Sequence, residues 1–393
     1  MISFFKLKIS SLLCTFDEES CTAMNLFIRL ISTAILLFLL SSCHVGRFFY
    51  YNFADVNDYQ KFPAQKIGRD STASQTSFVK APEVLFVQQS FDGYAVAASL
   101  HDYLENHKTL AFLFIRNDTI RHEYYFDDYD SMAVIPVFSV AKSYISALTG
   151  IAIDKGFFNN INDSITLYIP ELRGKGLEQI SIKNLLEMRS GLDYQEKYNS
   201  PFADMAKYYY GKNLDNYVSK LKLAAEPGLR YNYQSVNTLL LGIALENATQ
   251  KSPARLLEEW IWQKTDMEFD ASWSVDSKKN NRIKAFCCIN LRARDLAKFG
   301  KLYLNNGKWK DEQIIPKAWI AESLQIQNDS RDSGGFPYTY HWRTLEDGSF
   351  FAKGILGQYL YVNPEKQVII VRLGKSNDNI NWPEQFQNML RDM

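Results

Sequence analysis

Apolar residues predominate from Ser139 to Gly156, which is the pattern of a buried helix. The segment reads Ser-Val-Ala-Lys-Ser-Tyr-Ile-Ser-Ala-Leu-Thr-Gly-Ile-Ala-Ile-Asp-Lys-Gly. Pro136 lies just upstream and a glycine closes the run, and these residue types mark where helices start and stop. We therefore predict a long buried helix that opens at Ser139.

Shorter apolar segments predict strands near both ends of the chain. Residues 110–116 and 119–126 flank Asn117-Asp118, a pair typical of a hairpin turn. Further strands are expected at residues 338–344, 349–352, 359–362 and 367–373. A helix is expected at residues 84–107, and surface helices are expected at residues 292–305 and 316–325.

The intervening residues 157–285 are mostly helical in pattern and are broken by proline and glycine, for example at Pro170 and Pro227-Gly228. Strands contributed by both chain ends, with helices between them, favour one mixed domain. The prediction is an α/β (α+β) fold. It consists of an antiparallel sheet flanked by helices, with an all-helical lobe inserted at about 157–285.

The N-terminal 43 residues have the pattern of an export signal. After Met24, the favoured start, Arg29 precedes an apolar stretch at 30–40 that is too short to span a bilayer comfortably. Leu40-Ser-Ser-Cys43 resembles a bacterial lipobox, in which the cysteine carries lipid. We expect an exported lipoprotein, anchored through Cys43 to a membrane of the bacterial cell envelope and facing the periplasm or the surface. An uncleaved apolar anchor and a plain signal peptide remain alternatives.

Domain limits follow from this. Residues 1–43 comprise an upstream extension and a lipoprotein signal peptide. Residues 44–83 form an N-terminal segment and a polar linker. Residues 84–393 form the main domain, which contains the helical insertion.

Composition argues against several classes of protein. The 44 basic and 44 acidic residues cancel, so charge gives no reason to expect a nucleic-acid partner. The five histidines show no metal-binding spacing, and no nucleotide-binding loop is present, so we expect no metal and no cofactor. Beyond Cys43 only Cys287 and Cys288 remain, and we expect them to be a buried pair of free thiols, because bridging adjacent cysteines strains the peptide between them.

Ser139 and Lys142 are the first candidates for chemistry. One helical turn apart, they lie on the same face of the predicted helix, so the amine can reach the hydroxyl. A serine becomes a good nucleophile when a neighbouring base takes its proton. The same spacing also begins at Ser3, Ser77 and Ser219, but without a long apolar run behind it. Taken alone, Ser139 could equally be a helix N-cap.

Tyr233 and Ser235 are the second candidate group. They follow the Pro227-Gly228 turn on an extended stretch, where residues two apart point the same way. A phenol close to a lysine amine can relay protons between nucleophile and leaving group. The alternative is that Tyr233 only packs in the core.

In combination and in order, these motifs resemble the serine β-lactamase and penicillin-binding superfamily. The third element is Lys353-Gly354-Ile-Leu-Gly-Gln358. It is similar to the class C β-lactamase-like branch that includes carboxylesterases and 6-aminohexanoate-dimer hydrolases. The resemblance covers roughly residues 85–390 and implies a β-lactamase/transpeptidase-like fold and a serine hydrolase working through an acyl-enzyme.

Specific roles are implied by that resemblance. Ser139 attacks the carbonyl, Lys142 accepts its proton, and Tyr233 acts as base or acid, with the first base left open. Backbone N–H groups of Ser139 and Ile355 form the oxyanion hole. The candidates for substrate binding are Ser235, Lys353, Gly354, Gln358, His341 and Trp342.

One departure bears on the substrate. The Lys-Thr/Ser-Gly triplet that grips a β-lactam carboxylate is replaced here by Lys353-Gly354-Ile355. We therefore expect a small-molecule ester or amide as substrate. A D,D-peptidase or β-lactamase acting on cell-wall-like substrates is the alternative enzyme. A catalytically silent, surface-binding lipoprotein is the alternative outside the enzymes.

Overall fold

The structure is a computed structural model that describes residues 22–33, 44–72, 78–81 and 100–391. The strands are β1 Ala64–Ile67, β2 Val79–Lys80, β3 Thr109–Arg116, β4 Thr119–Tyr125, β5 Ile135–Pro136, β6 Ala271–Ser274, β7 Ile289–Leu291, β8 Lys308–Trp309, β9 Glu312–Gln313, β10 Tyr338–Thr339, β11 Trp342–Thr344, β12 Phe350–Gly354, β13 Gln358–Asn363 and β14 Val368–Gly374.

Helices connect and cover these strands. The α-helices are 22–33, His44–Tyr51, Leu100–Asn106, Ala141–Asp154, Ile182–Leu186, Asp204–Tyr210, Leu214–Val218, Ser235–Thr249, Pro253–Trp260, Ala293–Leu304, Lys317–Ser323 and Trp382–Arg391. Short 3₁₀ turns occur at Asp58–Gln60, Phe138–Val140, Ile165–Leu167, Pro170–Leu172, Trp262–Lys264 and Ile355–Gly357.

The main sheet is built from both ends of the chain, as predicted. Its strand order is β10-β11-β12-β13-β14-β3-β4-β2, and every pairing is antiparallel except the parallel contact of β2 with β4. Every residue of β14 and nearly all of β3 are buried. Continuous burial of this kind arises when both faces of a sheet are covered. The α/β prediction with a largely antiparallel sheet is confirmed.

Helices cover the two faces of this sheet. On one face an aromatic-rich core joins the strands to helices Leu100–Asn106 and Trp382–Arg391, including Phe112, Tyr361 and Phe386. On the other face helix Ala293–Leu304 packs so closely that a Cβ at Gly300 would lie 2.8 Å from Leu360. The sheet therefore forms the middle layer of the domain.

Helix Ala141–Asp154 is the predicted long apolar helix, and all of its residues from Ala141 to Ala152 are buried. Tyr144 stacks on Phe299 with ring centroids 3.7 Å apart. Gly150 leaves room for the Trp319 ring, since a Cβ there would lie 2.3 Å from it. We call this element the central helix.

Two expectations about secondary structure need correction, and a third is tested only in part. The helical lobe at 157–285 also contains strand β6, which joins a second sheet of order β1-β6-β7-β5. The strand expected at 338–344 is a hairpin of β10 and β11, turning at Tyr340 and His341 with φ values of +36° and +69°. Of the helix expected at 84–107, Leu100–Asn106 is present, and residues 84–99 lie outside the described residues.

The free-thiol prediction for Cys287 and Cys288 was wrong, because the structure joins them in a disulfide. The pair lies in a buried turn where Cys288 has φ +70°. The Trp273 indole N–H donates to the Cys287 carbonyl at 2.7 Å and so helps to hold this turn.

The described residues of 1–53 together with 197–211 form one compact unit. Within it, Phe48 packs edge-on against Tyr210, whose hydroxyl donates to the Asn52 carbonyl at 2.6 Å. The lipidation candidate Cys43 lies outside the described residues. None of the helices in the described part of the chain combines the length and apolar character needed to cross a membrane.

Candidate active site

Ser139 and Lys142 meet at the start of the central helix. Ser139 lies in the 3₁₀ turn Phe138–Val140 and is partly exposed, whereas Lys142 is 1% exposed. The Lys142 amine is 3.0 Å from Ser139 Oγ and donates to the Phe286 carbonyl at 2.6 Å. The buried amine therefore contacts the serine hydroxyl and a backbone carbonyl at the same time. The geometry suits proton transfer from Ser139 to Lys142.

The backbone before Ser139 is strained. Phe138 has φ +46°, a left-handed conformation that costs a non-glycine residue about 1 kcal/mol or more. Val137 holds the approach to this turn by donating its N–H to the Ile289 carbonyl at 2.9 Å. Strain of this kind is kept where the surroundings fix it, often at functional sites. It presents Ser139 at the head of the helix, where N–H groups lack intrahelical acceptors.

The end of β12 packs directly against the same turn. A Cβ on Gly354 would lie 2.5 Å from the Val137 carbonyl oxygen, so glycine is required for this close approach. Gly354 is buried at this contact, and its role in substrate binding stays a prediction. Ile355 comes next, in the turn Ile355–Gly357. The candidate second oxyanion donor therefore follows a residue in contact with the Ser139 turn.

Tyr233 comes from the helical lobe and lies beside Lys142, with the Lys142 Nζ 5.2 Å from the centre of its ring. The neighbouring Gln234 is buried and its amide donates to the Leu192 and Tyr194 carbonyls at 2.8 and 3.1 Å. These bonds fix the segment that carries Tyr233. The three predicted side chains of Ser139, Lys142 and Tyr233 are thus brought together, although their catalytic roles stay a prediction.

The structure does not leave Ser235 accessible to a substrate, contrary to the expectation from the family resemblance. It begins helix Ser235–Thr249 and is 1% exposed. Its hydroxyl and its N–H both donate to the Glu196 carboxylate at 2.7 Å. Ser235 therefore ties the first helical turn behind Tyr233 to the Glu196 loop.

His341 and Trp342 do not line an open cleft either. The His341 ring is buried between two helices, 3.2 Å from Thr238 Oγ1, and its carbonyl accepts from Ser143 Oγ at 2.8 Å. Trp342 has no exposed surface and packs against Tyr303. The β10–β11 turn thus joins the central helix to the helix that follows Tyr233.

The remaining third-motif candidates differ from one another. Gln358 is fully buried, and its side chain donates to the Gly374 carbonyl at 2.8 Å and accepts from the Gly374 N–H at 3.0 Å. The Gln358 side chain is therefore not accessible to a substrate, contrary to the expectation. Lys353 is partly exposed, and burial together with the nearby Arg343 charge lowers its pKa. Of the substrate-binding candidates, Lys353 retains access to solvent.

The structure contains a buried ion pair between Arg343 and Asp332, which the sequence did not predict. The Arg343 guanidinium carbon lies 5.1 Å from the Tyr338 ring centre and 6.0 Å from that of Tyr233. Although burial acts to raise the pKa of Asp332, the charge and hydrogen bond of Arg343 lower it. The two residues are 11 positions apart, one in a loop and one in a strand, and no local sequence pattern predicts that they pair. The Arg343–Asp332 pair therefore supports the packing of the tyrosine rings around Tyr233.

A metal centre is not assembled at this site from the described residues. The group of His101, Asp102 and Glu105 has ligand atoms within 4.8 Å of one another, but all three are exposed on helix Leu100–Asn106. Exposed acidic groups of this kind are common without a metal.

Comparison with known proteins agrees with this geometry. Residues 100–381 match the family model described as Beta-lactamase. The 6-aminohexanoate-dimer hydrolase of Paenarthrobacter ureafaciens is 27% identical over 305 residues, which cover 72% of this chain and 76% of that protein.

Solved structures share the fold. A Bacillus anthracis protein with a provisional assignment as a 6-aminohexanoate-dimer hydrolase superposes with a TM-score of 0.67 at 22% identity, covering 84% of this chain and 90% of that one. A family VIII carboxylesterase superposes with a TM-score of 0.57 at 16% identity, covering 70% of this chain and 88% of that one.

The environment of His341 predicts a pH effect on stability. Burial, followed by the positive charges of Lys142 and Arg343, lowers the pKa of His341 well below its ordinary value of 6.5. The unfolded chain therefore binds a proton below about pH 6.5 that the folded protein does not bind, so the free energy of unfolding falls as pH falls. His341→Gln should remove up to about 1.4 kcal/mol per pH unit of this slope between pH 6.5 and 5.

Denaturant unfolding at several pH values measures that slope. His101→Gln is the matched control, because His101 is exposed on its helix, and it should keep the wild-type slope. An identical slope in wild type and His341→Gln would contradict the assignment of a neutral buried imidazole.

Proposed function

Because this chain belongs to the β-lactamase family of serine hydrolases, we propose that it cleaves small-molecule esters or amides through an acyl-enzyme on Ser139. The observation that most directly supports this proposal is the 3.0 Å distance between the Lys142 amine and Ser139 Oγ at the head of a buried helix. Tyr233 lies beside the same amine. A nucleophile within hydrogen-bond reach of a base, with a further proton carrier next to it, is the arrangement that acyl transfer needs.

Acylation begins with attack of Ser139 Oγ on the substrate carbonyl carbon. The serine proton passes to the Lys142–Tyr233 pair, and the Phe286 carbonyl keeps the amine aligned. The N–H groups of Ser139 and Ile355 stabilise the oxyanion that forms. Collapse of this intermediate expels the alcohol or amine, which leaves with a proton returned through the same pair.

Deacylation repeats these steps with water. The Lys142–Tyr233 pair takes a proton from the attacking water, and the oxyanion forms at the same two N–H groups. When the intermediate collapses, the acid product leaves and Ser139 regains its proton. No group besides these side chains and backbone donors is needed for either half of the cycle.

A neutral carbonyl substrate fits the third motif best. Recognition of a carboxylate usually relies on charge-assisted hydrogen bonds, which are stronger than neutral ones. Here Arg343 is already paired with Asp332, and the triplet that grips a β-lactam carboxylate is absent. The names of the related 6-aminohexanoate-dimer hydrolase and carboxylesterase support amides or esters as the substrate class.

We also propose that the protein is exported and anchored by lipid on Cys43. The support is the sequence alone, namely Arg29, the apolar stretch at 30–40 and the Leu40-Ser-Ser-Cys43 motif. The hydrolase domain would then act on substrates in the cell envelope or outside the cell.

Hydrolysis of a short-chain p-nitrophenyl ester tests the assigned nucleophile and base. Ser139→Ala should lose at least about 1000-fold in kcat/KM, and Lys142→Ala should lose about 100-fold or more, the range for loss of a general base. Ser146→Ala is the matched control, a serine two turns further along the same helix, and should keep wild-type activity. Full activity in Ser139→Ala would refute the proposal.

Substrate preference provides a second test. Wild-type protein should turn over p-nitrophenyl esters with a much higher kcat/KM than nitrocefin or benzylpenicillin, because the third motif lacks the carboxylate-binding triplet. Lys353→Ala should leave ester turnover within about threefold of wild type. Efficient nitrocefin hydrolysis that collapses in Lys353→Ala, with ester turnover kept, would instead show a β-lactamase in which Lys353 supplies the missing charge.

The anchor is tested by labelling. Expressed in a diderm bacterium, the protein should fractionate with membranes and incorporate labelled palmitate. Cys43→Ser should abolish the label, and Cys21→Ser, which lies before the proposed signal, is the control and should not. Palmitate retained in Cys43→Ser would show that the lipobox assignment is wrong.

A further inference from the structure

A buried arginine lies directly behind the turn that carries Ile355. Arg372 is in β14, has no exposed surface, and its guanidinium stacks 3.7 Å from the centre of the Trp382 ring. Its hydrogen bonds go to neutral oxygens, namely Thr109 Oγ1 and the carbonyls of His107, Gly357 and Ser376. Burial lowers the pKa of Arg372 to about 9, so the group stays charged at neutral pH. A buried cation whose hydrogen bonds go mainly to backbone carbonyls requires a functional explanation.

The contact with Gly357 is the one that reaches the site. Arg372 Nη1 donates to the Gly357 carbonyl at 2.8 Å. A Cβ on Gly357 would lie 2.0 Å from that nitrogen, so the glycine leaves the space that the guanidinium fills. Leu356 and Gly357 have φ values of +65° and +82°, two left-handed residues in succession. A turn with this backbone persists when its surroundings hold it.

A second bond closes the turn from the other side. The Gln358 side chain, fully buried, bridges both backbone groups of Gly374 at the end of β14. Across the turn Gln358 pairs with Gly354, which contacts the Val137 carbonyl next to the Ser139 turn. Ile355 therefore sits between a strand end pressed against the Ser139 turn and a residue held by Arg372.

We infer that Arg372 is a positioning residue for the oxyanion hole, which holds the Gly357 carbonyl and thereby orients the Ile355 N–H toward the oxyanion formed on Ser139. The inference rests on the proposed function and goes beyond it, because Arg372 touches neither substrate nor the reacting atoms. An arginine suits this task better than a lysine, since its planar fork can hold several fixed acceptors at once.

Arg372→Lys tests this inference, because it keeps the charge and removes the fork. With a p-nitrophenyl ester, kcat should fall about 10- to 100-fold, somewhat less than the loss on deleting an oxyanion donor, while KM stays within about threefold. The inhibition constant of a boronic acid, whose tetrahedral serine adduct places an oxygen in the same hole, should rise by a similar factor.

Thr109→Val is the matched control, because it removes an acceptor of Arg372 that lies away from the turn. Its kcat and its boronate inhibition constant should stay within about threefold of wild type. Should Arg372→Lys not fold, Arg372→Gln takes its place, since it also removes the guanidinium from the Gly357 carbonyl. Each variant is measured after circular dichroism shows the folded state at the assay temperature.

Two outcomes would overturn the inference. In one, Arg372→Lys has a lower melting temperature but unchanged kcat and boronate inhibition, which shows a role in stability alone. In the other, Thr109→Val loses as much activity as Arg372→Lys, which shows a general disturbance. Ester turnover retained by Ser139→Ala is a different result and would refute the proposed function itself.

Discussion

The position of the Lys142 amine, held between Ser139 Oγ and the Phe286 carbonyl, is the constraint on which the rest of the site depends. An amine buried to this degree needs hydrogen-bond partners, because an unsatisfied buried polar group is costly. One partner comes from the head of the central helix and the other from a distant buried turn. The turn that bears Phe286 also contains the Cys287–Cys288 disulfide and accepts a hydrogen bond from the Trp273 indole. The chemistry is therefore tied to the packing of the core.

The same principle extends to the groups around the amine. The segment bearing Tyr233 is fixed by the buried side chain of Gln234, and the Ile355 turn by Gln358 and Arg372. Gln358, which the family resemblance marked as a candidate for substrate binding, is one of these internal supports. Left-handed backbone at Phe138 and Leu356 costs free energy that the surrounding packing offsets. Preorganised donors of this kind do not have to reorient during the reaction.

Local features were predictable from the sequence. The central helix follows from its largely apolar sequence, and the β3–β4 hairpin from the Asn117-Asp118 turn between two strand-like segments. The structure confirms both, together with the strands predicted at residues 349–352, 359–362 and 367–373. The meeting of Ser139 with Lys142 was predicted from their helical spacing, and the approach of Tyr233 was implied by the family resemblance. What could not be predicted was the direction of single side chains. The turn at Tyr340 and His341 reverses the chain inside what read as one strand, and so both His341 and Trp342 point into the core. Contacts between segments far apart in sequence, such as Arg372 with Gly357 or Arg343 with Asp332, leave no local signal.

Covalent trapping provides the most direct measurement. The purified domain is incubated with a fluorophosphonate, and the adduct is counted by intact mass and located by peptide sequencing in the mass spectrometer. One adduct per chain on Ser139 is the predicted result, since the Lys142 amine lies 3.0 Å from that hydroxyl. A stoichiometric adduct on a different residue would contradict the assignment of Ser139 as the nucleophile.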